Sequence, residues 1–225
     1  MEDTRLNKNK KAFVYESLKK RIIDLDLEPG SPIIEAEYAE ELGVSKTPIR
    51  EALRHLERDG FVINVPSRGS MVTHITTQEI HNLFQIREII ESGAAKIAAR
   101  SGDKSAFEAV RARNDQVIRE IDAIEEAAYA DEWQAWDDIH HVIIKSLSNA
   151  ALLDVYLGLL DRIHRVRNYY GKRLTKQRYL DIVREHNTVA DAIIAGDGPG
   201  AEAAMQGHLR KASQYLLGIG MPEGG

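Results

Sequence analysis

Apolar residues recur at helical spacing through most of the chain. Residues 12 to 25 carry Val14, Leu18, Ile22 and Leu25 at intervals of four, four and three, which predicts a helix with one buried stripe. Glu28-Pro29-Gly30-Ser31-Pro32 ends it, because proline cannot extend the hydrogen-bond ladder. A short helix over 35 to 42, with Tyr38, Ala39 and Leu42 inward, is followed by Gly43-Val44-Ser45 and a third helix over 47 to 59. Thr47 is expected to cap that third helix, with Pro48 in its first turn. Two β-prone runs, 61 to 65 and 70 to 73, flank the turn Pro66-Ser67-Arg68-Gly69 and predict a hairpin. Helix, turn, helix and hairpin together make a winged helix-turn-helix over residues 1–75.

Beyond residue 75 the strand signal disappears. Thr76 and Glu79 fit a capping box, and Ile80, Leu83, Phe84, Arg87, Ile90 and Glu91 follow at helical spacing. Further helices are expected over 104 to 127, 131 to 148, 150 to 170, 175 to 195 and 198 to 217. The fold class is therefore mainly α, with an all-helical bundle of about six helices over residues 76–225 behind the winged domain.

Composition narrows the chemistry. The 225 residues suit two domains, and the absence of cysteine excludes disulfides, cysteine-based zinc fingers and thiol catalysis. No stretch reaches signal-peptide or membrane-span character, so no membrane partner and a cytoplasmic setting are expected. The net charge is -5, made up of -1 in residues 1–75 and -4 in the remainder. Neither half is basic, so a nucleic-acid surface has to come from the placement of charge. Lys46, Arg50, Arg54 and Arg58 recur every four residues on the third helix, away from Ile49, Ala52, Leu53 and Leu56. Such a row can be a solvated face. On the second helix of a helix-turn-helix it would lie in a major groove of double-stranded DNA, with Arg68 at the hairpin tip reaching phosphate or the minor groove.

In the helical region His140, His186 and His208 fall on three different predicted helices. Imidazoles converging in a bundle can hold a divalent metal, although histidines inside helices are also commonly packed core. The sequence has no nucleophile elbow, phosphate loop or His-Glu-x-x-His, so an enzyme is not expected.

The run from Glu40 to Leu53, together with Leu56, Asp59-Gly60-Phe61-Val62 and Pro66-Ser67-Arg68-Gly69, resembles the DNA-binding domain of the GntR family. That resemblance implies operator contacts from Lys46, Thr47 and Arg50, with Arg54 on the same face and Arg68 and Gly69 in the wing. Ala36 stands where some relatives have an arginine. Residues 80 to 215 resemble the FCD ligand-binding domain of the FadR-like branch, through Arg87 to Ala99, Ile139-His140 with Ser148-Asn149, His186 to Ile193 and Ala201 to His208. By that resemblance a divalent metal, zinc first with nickel or manganese as alternatives, is held by His140, His186, His208 and an aspartate. The aspartate usually precedes the first histidine by four residues, which here is Trp136. Asp137 lies three before His140 and four before His141, so two registers are open; the spacing to Asn149 favours His140, with Asp137 as fourth ligand. Arg87 matches an arginine that faces the effector, and alternatively it can pair with Glu91 four residues on. The whole implies a homodimer on a pseudo-palindromic operator, a repressor relieved by a small carboxylate effector. The rival readings are a metal-dependent enzyme and a constitutive DNA-binding protein whose helical domain only dimerises.

Overall fold

A computed structural model describes residues 2–100, 102–121, 139–171 and 173–218, with side chains from Lys10 onward. It divides into two compact units, Met1–Ile75 and Thr76–Gly225.

In the first unit α1 spans Glu2–Ile23, α2 Glu35–Glu41 and α3 Lys46–Arg58, with strands β1 Val62–Val65 and β2 Gly69–Val72. The first helix begins ten residues before the expected start at 12, because an apolar stripe marks only the part of a helix that packs, whereas α1 opens with polar turns. Val14, Leu18 and Ile22 on α1 are completely buried with Ile49 and Leu56 of α3, and Phe61, Val62 and Val72 close the same core. Tyr15 on α1 donates to Asp59 at 2.7 Å, fixing the end of α3. Ser45, not Thr47, occupies the N-cap position of α3, and neither a Ser45 nor any other side chain makes a capping bond there. Thr47 instead lies in the first turn.

The turn between α2 and α3 depends on Gly43, whose φ of +64° is accessible to glycine at little cost. The amides of Gly43 and Val44 then bond back to the Glu40 and Ala39 carbonyls at 3.2 and 2.9 Å. β1 and β2 pair antiparallel, with Val62 opposite Val72 and Val65 opposite Gly69. Ser31 and Ile33 bond to Val72 and Ser70, so the segment after α1 lines the far edge of β2. Gly30 is needed there: its φ is +84°, and a Cβ would meet the His74 ring at 2.4 Å.

The second unit contains α4 Thr77–Ala98, α5 Ser105–Glu120, α6 Ile139–Ser146, α7 Ala150–Gly171, α8 Lys176–Ile194 and α9 Gly198–Gly218. Thr76 caps α4 by accepting from the Glu79 amide, and Thr175 caps α8 in the same way through Arg178. α4 packs on α9 and α5 on α8. Val117, Ile121, Leu174, Tyr179, Ile182 and Val183 form a core between the last pair and the α7–α8 turn. Small residues Ala94, Ala95 and Ala98 on α4 and Ala201 on α9 are buried, which lets those helices approach closely.

Candidate functional site

In the first unit Pro48, Ile49, Ala52, Leu53 and Leu56 are buried on one side of α3. Lys46, Thr47, Arg50, Arg54 and Arg58 are exposed, as are Arg68 and Gly69 at the hairpin tip. Arg68 follows Ser67, whose φ is +67°, and its amide bonds to the Val65 carbonyl at 3.0 Å. The turn therefore projects this cation as part of a fixed loop. The Arg50 guanidinium is held by an acid from the preceding helix: its Nε donates to Glu35 at the start of α2 at 2.7 Å. The pair is exposed, so its energetic value is small. Its geometric effect is larger, because a guanidinium gripped at Nε keeps the edge carrying its two terminal nitrogens directed for a bidentate contact.

In the second unit His140 from α6, His186 from α8 and His208 from α9 come together, with one ring nitrogen of each within 4.8 Å of the others. All three are at most 5% exposed. Packing of three helices on one another brings them together: Ile139, Ile143 and Ile144 are buried around His140, and Val189, Ala190 and Met205 are buried on the turns beside His186 and His208. His141, the other register of the His-His pair, lies outside this group and packs edge-on against Tyr156. Asp137 falls outside the described residues.

Two carboxylates set the orientation of the rings. Glu91 Oε2 lies 2.5 Å from His140 Nδ1, and Glu185 Oε2 lies 2.7 Å from His208 Nδ1. A carboxylate at Nδ1 fixes the proton there, leaving Nε2 with a lone pair. The consequence is visible at His140, whose Nε2 is buried without a hydrogen-bond partner. The Nε2 atoms of His186 and His208 face each other at 3.3 Å, close to the roughly 3.3 Å edge of a tetrahedron with metal–nitrogen bonds of about 2.0–2.1 Å. Three buried imidazoles, two of them backed by carboxylates that leave the Nε2 lone pair available, fit a divalent metal ion.

Charge around this centre is balanced. Burial alone would raise Glu91, but Arg87 and His140 hold it down to about 2. Glu185 is likewise raised by burial and brought to about 2 by His208 and Arg178. Burial drives His208 down to about 4 against the opposing pull of Glu185, so its ring is neutral at pH 7, the form that binds metal. Arg87 is buried and gives Glu91 bonds of 2.8 Å from Nε and 3.3 Å from Nη2. Of its two sequence readings, the ion pair with Glu91 is therefore formed, and Arg87 also lines a cavity beside the histidines.

Sequence models of known families match both units. The model of bacterial regulatory proteins of the gntR family covers residues 10–72, and the FCD domain model covers residues 82–211, more than half of the chain. The chain belongs to the GntR family, with an FCD domain.

Relatives of this GntR regulator match along nearly its whole length. It is 28% identical to the HTH-type transcriptional repressor RspR of Escherichia coli K12 over 92% of this chain and 88% of that protein. It is 24% identical to the transcriptional regulator LutR of Bacillus subtilis over 86% of this chain and 94% of that one. The fold is shared with a GntR transcriptional regulator from Rhodococcus sp. RHA1, at a TM-score of 0.71 and 19% identity over 95% of this chain and all of that one. The metal-free FCD domain of TM0439 superposes at a TM-score of 0.52 and 20% identity over 64% of this chain and 95% of that domain. These matches make the protein a DNA-binding transcription regulator and not an enzyme.

Sequence reasoning missed two members of the FCD centre. Along the sequence Glu91 stands out only as the helical partner of Arg87, and Glu185, adjacent to His186, carries no spacing signal of its own. The available signal was weak: Arg87 and Glu91 share one inward row of α4, and an acid on such a row needs a partner.

Proposed function

We propose that this GntR regulator represses transcription as a homodimer on a pseudo-palindromic operator, and that a small carboxylate effector bound in the FCD domain relieves the repression. Lys46, Thr47, Arg50 and Arg54 would meet base edges and phosphates in the major groove, while Arg68 and Gly69 take the flank. The observation that carries the sensing half is the orphaned Nε2 of His140 beside the facing Nε2 atoms of His186 and His208. These three histidines, with Asp137 as a candidate fourth ligand, would hold a divalent metal, zinc before nickel or manganese. When bound, the ion supplies a Lewis-acidic positive charge for an effector carboxylate. Glu91 and Glu185 hold the proton at Nδ1 of their histidines and so keep each donor lone pair inward.

Dimerisation is supported by an apolar row on α4. Ile86, Ile89 and Ile97 are 41, 72 and 55% exposed and share one face with Gly93. A second copy of this chain would cover them, and its two-fold symmetry would place two reading heads on two half-sites. Regulation requires only that the effector prefer one arrangement of the heads, since equal affinity for both shifts nothing.

The test is zinc content and operator binding on the same preparations. Wild-type protein purified without chelator should carry about one metal per chain, and His186→Ala should lose it while still binding DNA. Metal content unchanged in His186→Ala would sink the metal assignment. Operator binding that ignores every carboxylate supplied would leave the constitutive DNA-binding reading in its place.

A further inference from the structure

The opening of α1 carries a charge pattern that neither the core nor the cationic row of α3 accounts for. Residues 4–15 hold Arg5, Lys8, Lys10 and Lys11 and no acid, whereas the rest of the first unit, residues 1–3 and 16–75, holds eight cations and thirteen acids. The match to the gntR family model starts at residue 10, so Arg5 and Lys8 lie ahead of the family motif. The helical backbone nevertheless runs unbroken from Glu2.

Two contacts fix this part of α1 beside α3. Val14 is completely buried in the core with Ile49, and one turn earlier Lys11 Nζ lies 3.5 Å from the Glu51 carboxylate. Glu51 follows Arg50 and stands about 100° round α3 from it, so it marks the flank between the cationic row and the side that buries Ala52. Lys10 is exposed beside this strut. At about 1.5 Å per residue, Lys8 and Arg5 follow about 4.5 and 9 Å farther out along the axis. That reach is about three base-pair steps of ~3.4 Å. Arg5, Lys8 and Lys11 are also three residues apart, which makes like charges neighbours on the helix and weakens it in isolation. A polyanion alongside reverses that repulsion, and duplex DNA presents one charge per ~1.7 Å of its axis.

We propose that residues 5–10 of α1 are a second DNA contact, in which Arg5, Lys8 and Lys10 take backbone phosphates flanking the half-site read by α3. Contacts to phosphate add affinity without sequence selectivity. The proposal rests on α3 as the reading helix.

The test is fluorescence-anisotropy titration of the full chain with a mixed-sequence duplex of about 30 base pairs, between about 50 and 200 mM salt. Wild type is compared with the triple variant Arg5→Gln, Lys8→Gln, Lys10→Gln and with its charge-retaining counterpart Arg5→Lys, Lys8→Arg, Lys10→Arg. Arg54→Gln probes α3, and Arg100→Gln with Lys145→Gln and Arg184→Gln removes the same charge from exposed positions of the second unit. Circular dichroism and light scattering report on fold and assembly. The first triple should bind about tenfold or more weakly at the lowest salt, and the slope of log affinity against log salt should fall by about two to three per chain, at ~0.9 per phosphate. The charge-retaining triple should match wild type, Arg54→Gln should lower the slope by about one, and the second-unit triple should change it by less than that. A wild-type slope in the first triple, with the loss present in Arg54→Gln, would overturn the α1 contact alone. Wild-type slopes in both would overturn it together with the reading of α3 beneath it. An equal loss in the second-unit triple would assign the effect to distributed charge, and a shift of the first triple to monomer would assign the segment to a second copy of the chain; either result overturns the proposal.

Discussion

Replacing Glu91 by glutamine is the sharpest probe of the histidine centre, because it retains the shape of the side chain and removes its charge. Glu91 is completely buried and accepts from both Arg87 and His140. A carboxyl lowered from 4.5 to about 2 in the fold favours the folded state by about 3 kcal/mol once ionised. Leaving the buried Arg87 guanidinium unpaired independently suggests a cost of about 3–5 kcal/mol. Glu91→Gln should therefore lose about 3 kcal/mol at pH 7, or roughly 6–12 °C for a unit of this size. The sign with pH follows from the lowered value. The stabilisation is present above the unfolded carboxyl range near 4.5 and is lost as pH falls toward 2, so wild type and variant should converge on acidification. Urea unfolding of chelator-treated protein at pH 7, 5 and 3.5, followed by circular dichroism, measures it. The double variant Arg87→Met with Glu91→Met separates the two roles of Glu91. It should regain most of the stability, since an apolar pair of similar volume can replace a buried ion pair. Its zinc affinity should stay about 10- to 100-fold low, because His140 lacks its orienting carboxylate. Glu91→Gln that matches wild type in stability at pH 7, or a double variant that recovers full zinc affinity, would refute this account.

Three further outcomes are expected. Arg50→Ala should weaken operator binding about 10- to 100-fold, whereas Glu35→Gln should cost less and lower the ratio of operator to random-sequence affinity, as electrophoretic mobility shifts at matched salt would reveal. Arg68→Ala should weaken operator and random DNA alike and reduce the slope of log affinity against log salt by about one, since a wing contact to phosphate carries no sequence information; an unchanged slope places Arg68 off the DNA. Ile89→Asp, on the exposed α4 row, should shift the chain toward monomer in light scattering and weaken operator binding while leaving zinc content unchanged; a dimer of undiminished stability means another surface mates.

What the linear pattern determined is everything that rests on short-range geometry. Val14, Leu18 and Ile22 specify one buried face of α1 whatever lies opposite, and Gly43 and Thr76 mark a turn and a helix start through their own backbones and neighbours. The order of helix, turn, helix and hairpin, and with it the GntR motif, was legible for that reason. The polar opening of α1 was not legible, since a helical turn without an apolar stripe leaves no periodic trace. Tertiary structure alone decided which side chains meet. Glu91 and His140 are 49 residues apart and Glu185 and His208 are 23 apart, so no local spacing links either pair; His140 joins the centre while His141 turns to Tyr156. A helix rotates about 100° per residue, and only the packing of α4, α6, α8 and α9 on one another sets the rotation that turns one imidazole inward and its neighbour away.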